Sequence, residues 1–111
     1  MINLRENREQ KPRLSSLLRG MKPERIVHEG DPVITGLASD SRDVQPGSLF
    51  VAIPGTRVDG HDYIMNAVRA GASAIVCERL PRRTPCLPVV VVSDARRAVS
   101  MLADRFYGHP S

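Results

Sequence analysis

Ser48-Leu49-Phe50-Val51-Ala52-Ile53-Pro54-Gly55 is followed by Thr56-Arg57-Val58-Asp59-Gly60-His61-Asp62-Tyr63-Ile64. The run Ser48 to Ile53 is compact and apolar, as expected of a strand covered on both faces. Pro54-Gly55 stops it, because proline cannot donate to a ladder and glycine favours turns. A helix is then expected from about His61 to Ala70. Its Ile64, Ala67 and Val68 fall on one face, and Gly71 supplies the stop. Just upstream, Val33 to Ala38 reads as a strand that opens into Ser39-Asp40-Ser41-Arg42. Two polar loops are therefore expected at the ends of a small sheet, facing an anionic ligand.

The remaining elements follow the same punctuation. Leu14, Leu17 and Leu18 sit at helical spacing, with Gly20 to end the turn. A short strand fits Ile26 to His28, and Gly30-Asp31-Pro32 reads as a turn. Pro46-Gly47 is another turn signal. Ala74 to Cys77 is a strand, Arg79 to Pro88 an exposed proline- and arginine-rich loop, and Val89 to Val92 the most strand-like run of all. Ser93-Asp94 caps a last helix whose Ala98, Met101, Leu102 and Phe106 share a face, and Gly108 ends it. The fold class is α/β: a single small domain with a mixed, largely parallel sheet flanked by helices. Residues 1–12 read as a flexible basic tail and residues 13–111 as the domain. His109-Pro110-Ser111 trails off.

At 111 residues the chain fits one domain with a modest core. Only 4% of residues are aromatic and Trp is absent, which argues against a stacking platform for single-stranded nucleic acid. The net charge of +4 reads as solvated surface and a basic tail rather than a nucleic-acid footprint, although it also suits a phosphate-bearing ligand. Cys77 and Cys86 form no C-x-x-C motif, and the histidines are scattered, so no metal-ligand spacing appears. Cys77 lies in an apolar run and reads as a small buried hydrophobe. Neither a long apolar span nor a signal-type segment is seen, so a cytoplasmic location without membrane contact is the default expectation.

Three constellations can carry chemistry. The hydroxyls and amides of Ser39-Asp40-Ser41-Arg42 can bond a uracil, ribose or phosphate oxygen, or Asp40 and Ser41 can satisfy their own turn. Arg42 can grip phosphate or pair with Asp59 or Asp43. The second is Gly55 to His61, whose glycines are spaced as in a phosphate-binding loop. The Lys and Ser/Thr that should follow are His61 and Asp62, so no triphosphate-magnesium site is expected. The loop can still offer backbone amides and a helix start to a pyrophosphate, or it can be a tight connection turning at Asp59-Gly60. The third, His61 with Asp62 as an acid–base pair, is weak, because adjacent residues at a helix start diverge. No catalytic residue and no metal ligand is assigned.

Taken together, Leu37-Ala38-Ser39-Asp40-Ser41-Arg42, Val44-Gln45-Pro46-Gly47-Ser48-Leu49-Phe50-Val51-Ala52, Pro54-Gly55, Asp59-Gly60-His61-Asp62-Tyr63-Ile64, Ala70-Gly71-Ala72 and Arg105-Phe106-Tyr107-Gly108-His109-Pro110-Ser111 form a specific pattern. In these motifs the chain resembles the N-terminal domain of Mur ligases over roughly Leu14 to Ser111. The closing Phe-Tyr-Gly-His-Pro-Ser is more similar to the E type, which extends a UDP-N-acetylmuramoyl-dipeptide. The F type, which adds the terminal dipeptide, shares the Asp-Ser-Arg, Pro-Gly and Asp-Gly-His elements.

The resemblance implies a domain that holds the UDP end of the muramoyl-peptide substrate. Ser39 and Ser41 match the family's contact positions in the first loop, and Thr56, Arg57 and Val58 match those in the second. It also implies a parent enzyme of peptidoglycan synthesis that uses ATP and Mg2+. That enzyme would activate the substrate carboxylate as an acyl phosphate, which the amine of diaminopimelate or lysine would then attack. A central ATPase domain and a C-terminal domain would complete it. The chain is expected to lack both, to hold no cofactor of its own and to be inactive alone. A stand-alone, non-catalytic binding module is the alternative reading.

Overall fold

Alternation along the strands sets the layers. Leu49 and Val51 point to one side of the sheet and Phe50 and Ala52 to the other; Ala74 and Val76 alternate with Ile75 and Cys77, and Val90 and Val92 with Val89 and Val91. Both sets are buried, so the strands must be covered on both faces, which is why they read as near-continuous apolar runs.

The computed structural model describes residues 11–108. Helix α1 (Leu14–Leu18) precedes strands β1 (Arg25–Val27) and β2 (Gly36–Ala38), then a 3-10 turn at Ser41–Asp43. Strand β3 (Ser48–Val51) leads to a second 3-10 turn (Gly60–Tyr63) and helix α2 (Ile64–Arg69). Strands β4 (Ala74–Cys77) and β5 (Val89–Val91) and helix α3 (Ala95–Phe106) complete the described part. The five strands form one sheet in the order β1-β5-β4-β3-β2. β2, β3, β4 and β5 are mutually parallel, and β1 runs antiparallel to β5, so the sheet is mixed and largely parallel as expected.

Helices α1 and α3 cover one face, with Leu14, Leu17, Ala98 and Leu102 packed on Leu49, Val51, Val76 and Val90. Helix α2 covers the other, with Ile64 and Ala67 packed against Phe50, Ile75 and Val89. Asp94 caps α3 by accepting from the Arg97 amide at 3.0 Å, and Glu78 Oε2 accepts from the Ala95 amide at 2.8 Å, so two carboxylates satisfy that helix start. Helix α1 is capped from a distance: the Asp31 carboxylate accepts from the Ser15 amide (2.7 Å) and hydroxyl (2.8 Å).

Several boundaries differ from expectation for local reasons. Of Val33 to Ala38 only Gly36–Ala38 pairs as a strand; Val33 makes a lone antiparallel bridge to Arg13. The backbone bend after β1 falls at His28 (φ 63°), ahead of Gly30-Asp31-Pro32. The helix expected from His61 begins as the second 3-10 turn and becomes α-helical only at Ile64. Residues 1–10 of the expected tail, and His109-Pro110-Ser111, lie outside the described residues. Pro12, placed in the tail by sequence, is tied to the domain: its carbonyl accepts from the Ile34 amide at 2.8 Å. Among the described residues no helix is long and apolar enough to cross a membrane.

Candidate functional site

Parallel pairing puts the carboxyl ends of β2, β3, β4 and β5 on one edge of the sheet. In open α/β sheets, crevices at that edge are where ligands bind. Here the loop after β2, the loop after β3 and the first turn of α3 enclose a cleft of about 610 Å³. Ser39, Ser41 and Arg42 from the first loop, Ile53, Pro54 and Val58 from the second, and Phe50 and Tyr63 line it. Arg96 of α3 reaches in from a third element.

The first loop folds on its own carboxylate. Asp40 accepts from the Arg42 amide at 2.9 Å and so caps the first 3-10 turn. The Arg42 side chain closes back on the same group, with Nη2 to Oδ2 at 2.7 Å. The Arg42 hydrogen bonds pull the Asp40 pKa down to about 2. This corrects the expectation that Arg42 pairs with Asp59 or Asp43. The short turn places its guanidinium over the carboxylate two residues back, and 87% of the side chain stays exposed. The amides of Arg42, Asp43 and Val44 are spent within this turn.

The end of the second loop, where it enters the 3-10 turn, also satisfies its own amides. The Gly60 amide donates to Ile53 O at 2.8 Å, the Asp62 amide to Asp59 O at 3.0 Å, and the His61 amide to Asp59 Oδ1 at 2.9 Å. Gly60 is required because its Cα lies against main chain; an added Cβ would sit 2.7 Å from the Ile53 nitrogen. These amides are therefore unavailable as a phosphate cradle, and the tight-connection reading of Asp59-Gly60 holds. Among the described residues no group of three or more His, Cys, Asp or Glu side chains could hold a metal ion. The ATP and Mg2+ implied for a parent enzyme do not fit these residues.

His61 anchors this loop to the end of β4. Its Nε2 accepts from the Glu78 amide at 2.9 Å and the Arg79 amide at 3.3 Å. Nε2 therefore carries no proton, and Nδ1–H donates to Asp59 Oδ1 at 2.8 Å. Asp59 also pairs with Arg79 at 2.9 Å. The Arg79 hydrogen bond first, and then the His61 amide and ring, hold the Asp59 carboxyl well below the usual carboxylate range. The His61 side chain is 6% exposed. The weak pairing of His61 with Asp62 is thus replaced by one with Asp59, the residue that caps the turn.

Of the five residues assigned from sequence, Ser39, Ser41 and Val58 line the common cleft, and Val58 is 68% exposed. Thr56 and Arg57 are exposed at the loop tip, outside the cleft lining. Sequence reasoning missed Tyr63, Ile53 and Arg96. Arg96 had one local signal, its place two residues after the Asp94 cap, but nothing in the sequence tied α3 to the loop after β3.

A family model described as "Mur ligase family, catalytic domain" matches residues 33–107. The UDP-N-acetylmuramoyl-L-alanyl-D-glutamate--2,6-diaminopimelate ligase of Halalkalibacterium halodurans is 46% identical over 99 residues, 89% of this chain and 20% of that protein. The Geobacillus kaustophilus ligase of the same name is 52% identical over 86 residues, 78% of this chain and 17% of that protein. Among solved structures, MurF from Acinetobacter baumannii superposes with a TM-score of 0.69 at 22% identity, over 87% of this chain and 21% of that one, a likeness of fold. The MurF ligase of Thermotoga maritima in complex with ADP gives 0.56 at 35% identity, over 68% of this chain and 17% of that one. The chain spans about a fifth of the length of the curated relatives it matches.

Proposed function

The chain belongs to the Mur ligase family, and on that premise we propose that it is the N-terminal, substrate-anchoring domain of an ATP-dependent ligase of peptidoglycan synthesis. By this reading residues 13–111 hold the UDP end of UDP-N-acetylmuramoyl-dipeptide. The E type is favoured by the sequence relatives, which are named as diaminopimelate ligases. A cytoplasmic setting goes with such a substrate.

One observation carries the proposal: the hydroxyl-bearing loop after β2 and the loop after β3 share one cleft at the carboxyl edge of the sheet. Ser39 and Ser41 supply hydroxyl donors and acceptors, and Val58, Ile53 and Tyr63 supply apolar surface for a planar base. Thr56 and Arg57 contribute, by this proposal, through the loop backbone or after a local rearrangement of the exposed tip. The domain performs no chemistry itself. Gripping the remote nucleotide lets binding energy orient a carboxylate that reacts far away. The ligation, and the ATP and Mg2+ it uses, belong to other parts of the ligase.

The test is an amide-shift titration of the chain with UDP-N-acetylmuramoyl-dipeptide. Shifts at Ser39, Ser41 and Val58 support the assignment. Shifts confined to other surfaces refute it.

A further inference from the structure

We infer that Arg96, on the first turn of α3, is the cleft's contact for the diphosphate of the bound nucleotide. The inference rests on the anchoring role proposed above and extends it to a residue outside the two loops. The cleft lining holds two guanidinium groups, Arg42 and Arg96, and one carboxylate, Asp40. Asp40 and Arg42 neutralise each other through a contact of 2.7 Å. Arg96 makes no ion pair among the described residues, so the cleft keeps one uncompensated positive charge, and Arg96 carries it.

Geometry supports the same role. One Nη2–H of Arg96 donates to Pro54 O at 2.8 Å, in the loop after β3 that lines the cleft together with Ser39 and Ser41. That bond fixes the side chain across the cleft while most of its five N–H donors stay free. Arg42, by contrast, spends Nε and Nη2 on Asp40. A planar fork of free donors suits the oxygens of a diphosphate, which it can contact in pairs. The amides of residues 42–44 and 60–62 are already bonded within their own loops, so they do not compete with Arg96 for an anion. Arg97, the next residue, lines a separate small groove with Lys22 and Met101 and provides a matched control.

The experiment compares UDP with uridine, by amide-shift titration of the whole chain and of its R96A, R96Q, R96K and R97A variants. For the unaltered chain, UDP is expected to bind more tightly than uridine. R96A and R96Q should weaken UDP about tenfold or more while leaving uridine unchanged, because a charge-assisted contact is lost. R96Q retains a donor for Pro54 O, so it keeps the test valid if R96A fails to fold. R96K should keep part of the UDP affinity, and R97A should keep all of it.

Equal weakening of UDP and uridine by R96A and R96Q would reduce Arg96 to a brace for the loop and overturn the inference. So would unchanged UDP binding in R96Q. If UDP and uridine bind the unaltered chain equally well at Ser39 and Ser41, the anchoring proposal stands and the role of Arg96 falls. If neither ligand shifts those residues, the anchoring proposal fails and the inference falls with it.

Discussion

Replacing His61 with alanine should destabilise the chain by about 2–4 kcal/mol. The imidazole makes three hydrogen bonds: Glu78 N–H to Nε2 at 2.9 Å, Arg79 N–H to Nε2 at 3.3 Å, and Nδ1–H to Asp59 at 2.8 Å. An ordinary bond contributes about 0.5–1.5 kcal/mol and one to a charged group about 1.5–3 kcal/mol. The Arg79 contact is long and exposed, so it lies at the bottom of that range. Asp59 keeps its bonds to Arg79 and to the residue 61 amide, which reduces the loss on that side. Urea unfolding should show a midpoint lowered by roughly 0.7–4 M, given slopes of about 1–3 kcal/mol/M for small proteins. His61→Gln should recover more than His61→Asn. Glutamine can set an acceptor near Nε2, on which two backbone donors depend, whereas asparagine reaches only the Nδ1 position. A loss below about 0.5 kcal/mol for the alanine variant, in the range of a bland surface change, would refute the view that His61 holds the second loop to β4.

Three further outcomes are expected. Gly60→Ala should cost about 1–3 kcal/mol in the same unfolding assay, because the new Cβ meets only main chain, at 2.7 Å and 3.0 Å from Ile53 and 3.1 Å from Ala52; a neutral result would show that the loop gives way easily. In thiol titration Cys86, which is exposed, should react in the native protein, while Cys77, fully buried and with its pKa pushed up to about 11 by burial, should wait for denaturant. Asp59 should contribute to acid stability: its carboxyl titrates lower in the folded chain, so its contribution is complete above the unfolded value of about 3.9 and disappears as pH falls through the folded value. Unfolding free energy measured against pH should therefore fall less steeply at the acid end in Asp59→Asn, and identical slopes would remove Asp59 from the account.

Legibility followed distance along the chain. Ala74–Cys77 matched its sequence reading residue for residue, because a run of four apolar residues between polar neighbours needs no remote information. The Asp94 cap and the positive-φ glycines Gly20, Gly71 and Gly108 were legible for the same reason. Arg42 was misread although its partner stands only two residues away. Sequence spacing does not say which of Asp40, Asp43 and Asp59 a guanidinium will meet once a 3-10 turn curls it back. Thr56 and Arg57 were assigned to the site from family positions; their neighbours Gly55 and Val58 line the cleft and they themselves do not.

The chain's own pattern of apolar runs, caps and stops determined its elements and its α/β class, since those signals act over a few residues. Its motifs also carried the membership in a ligase family. Strand order, the meeting of two loops in one cleft, the capture of His61 by residues 17 and 18 positions away, and the reach of Arg96 to Pro54, 42 positions away, were decided only by packing. A buried two-sided sheet forces its strands together by apolar area, which is non-directional. Only the finished arrangement of those strands fixes which polar groups face one another at its edge.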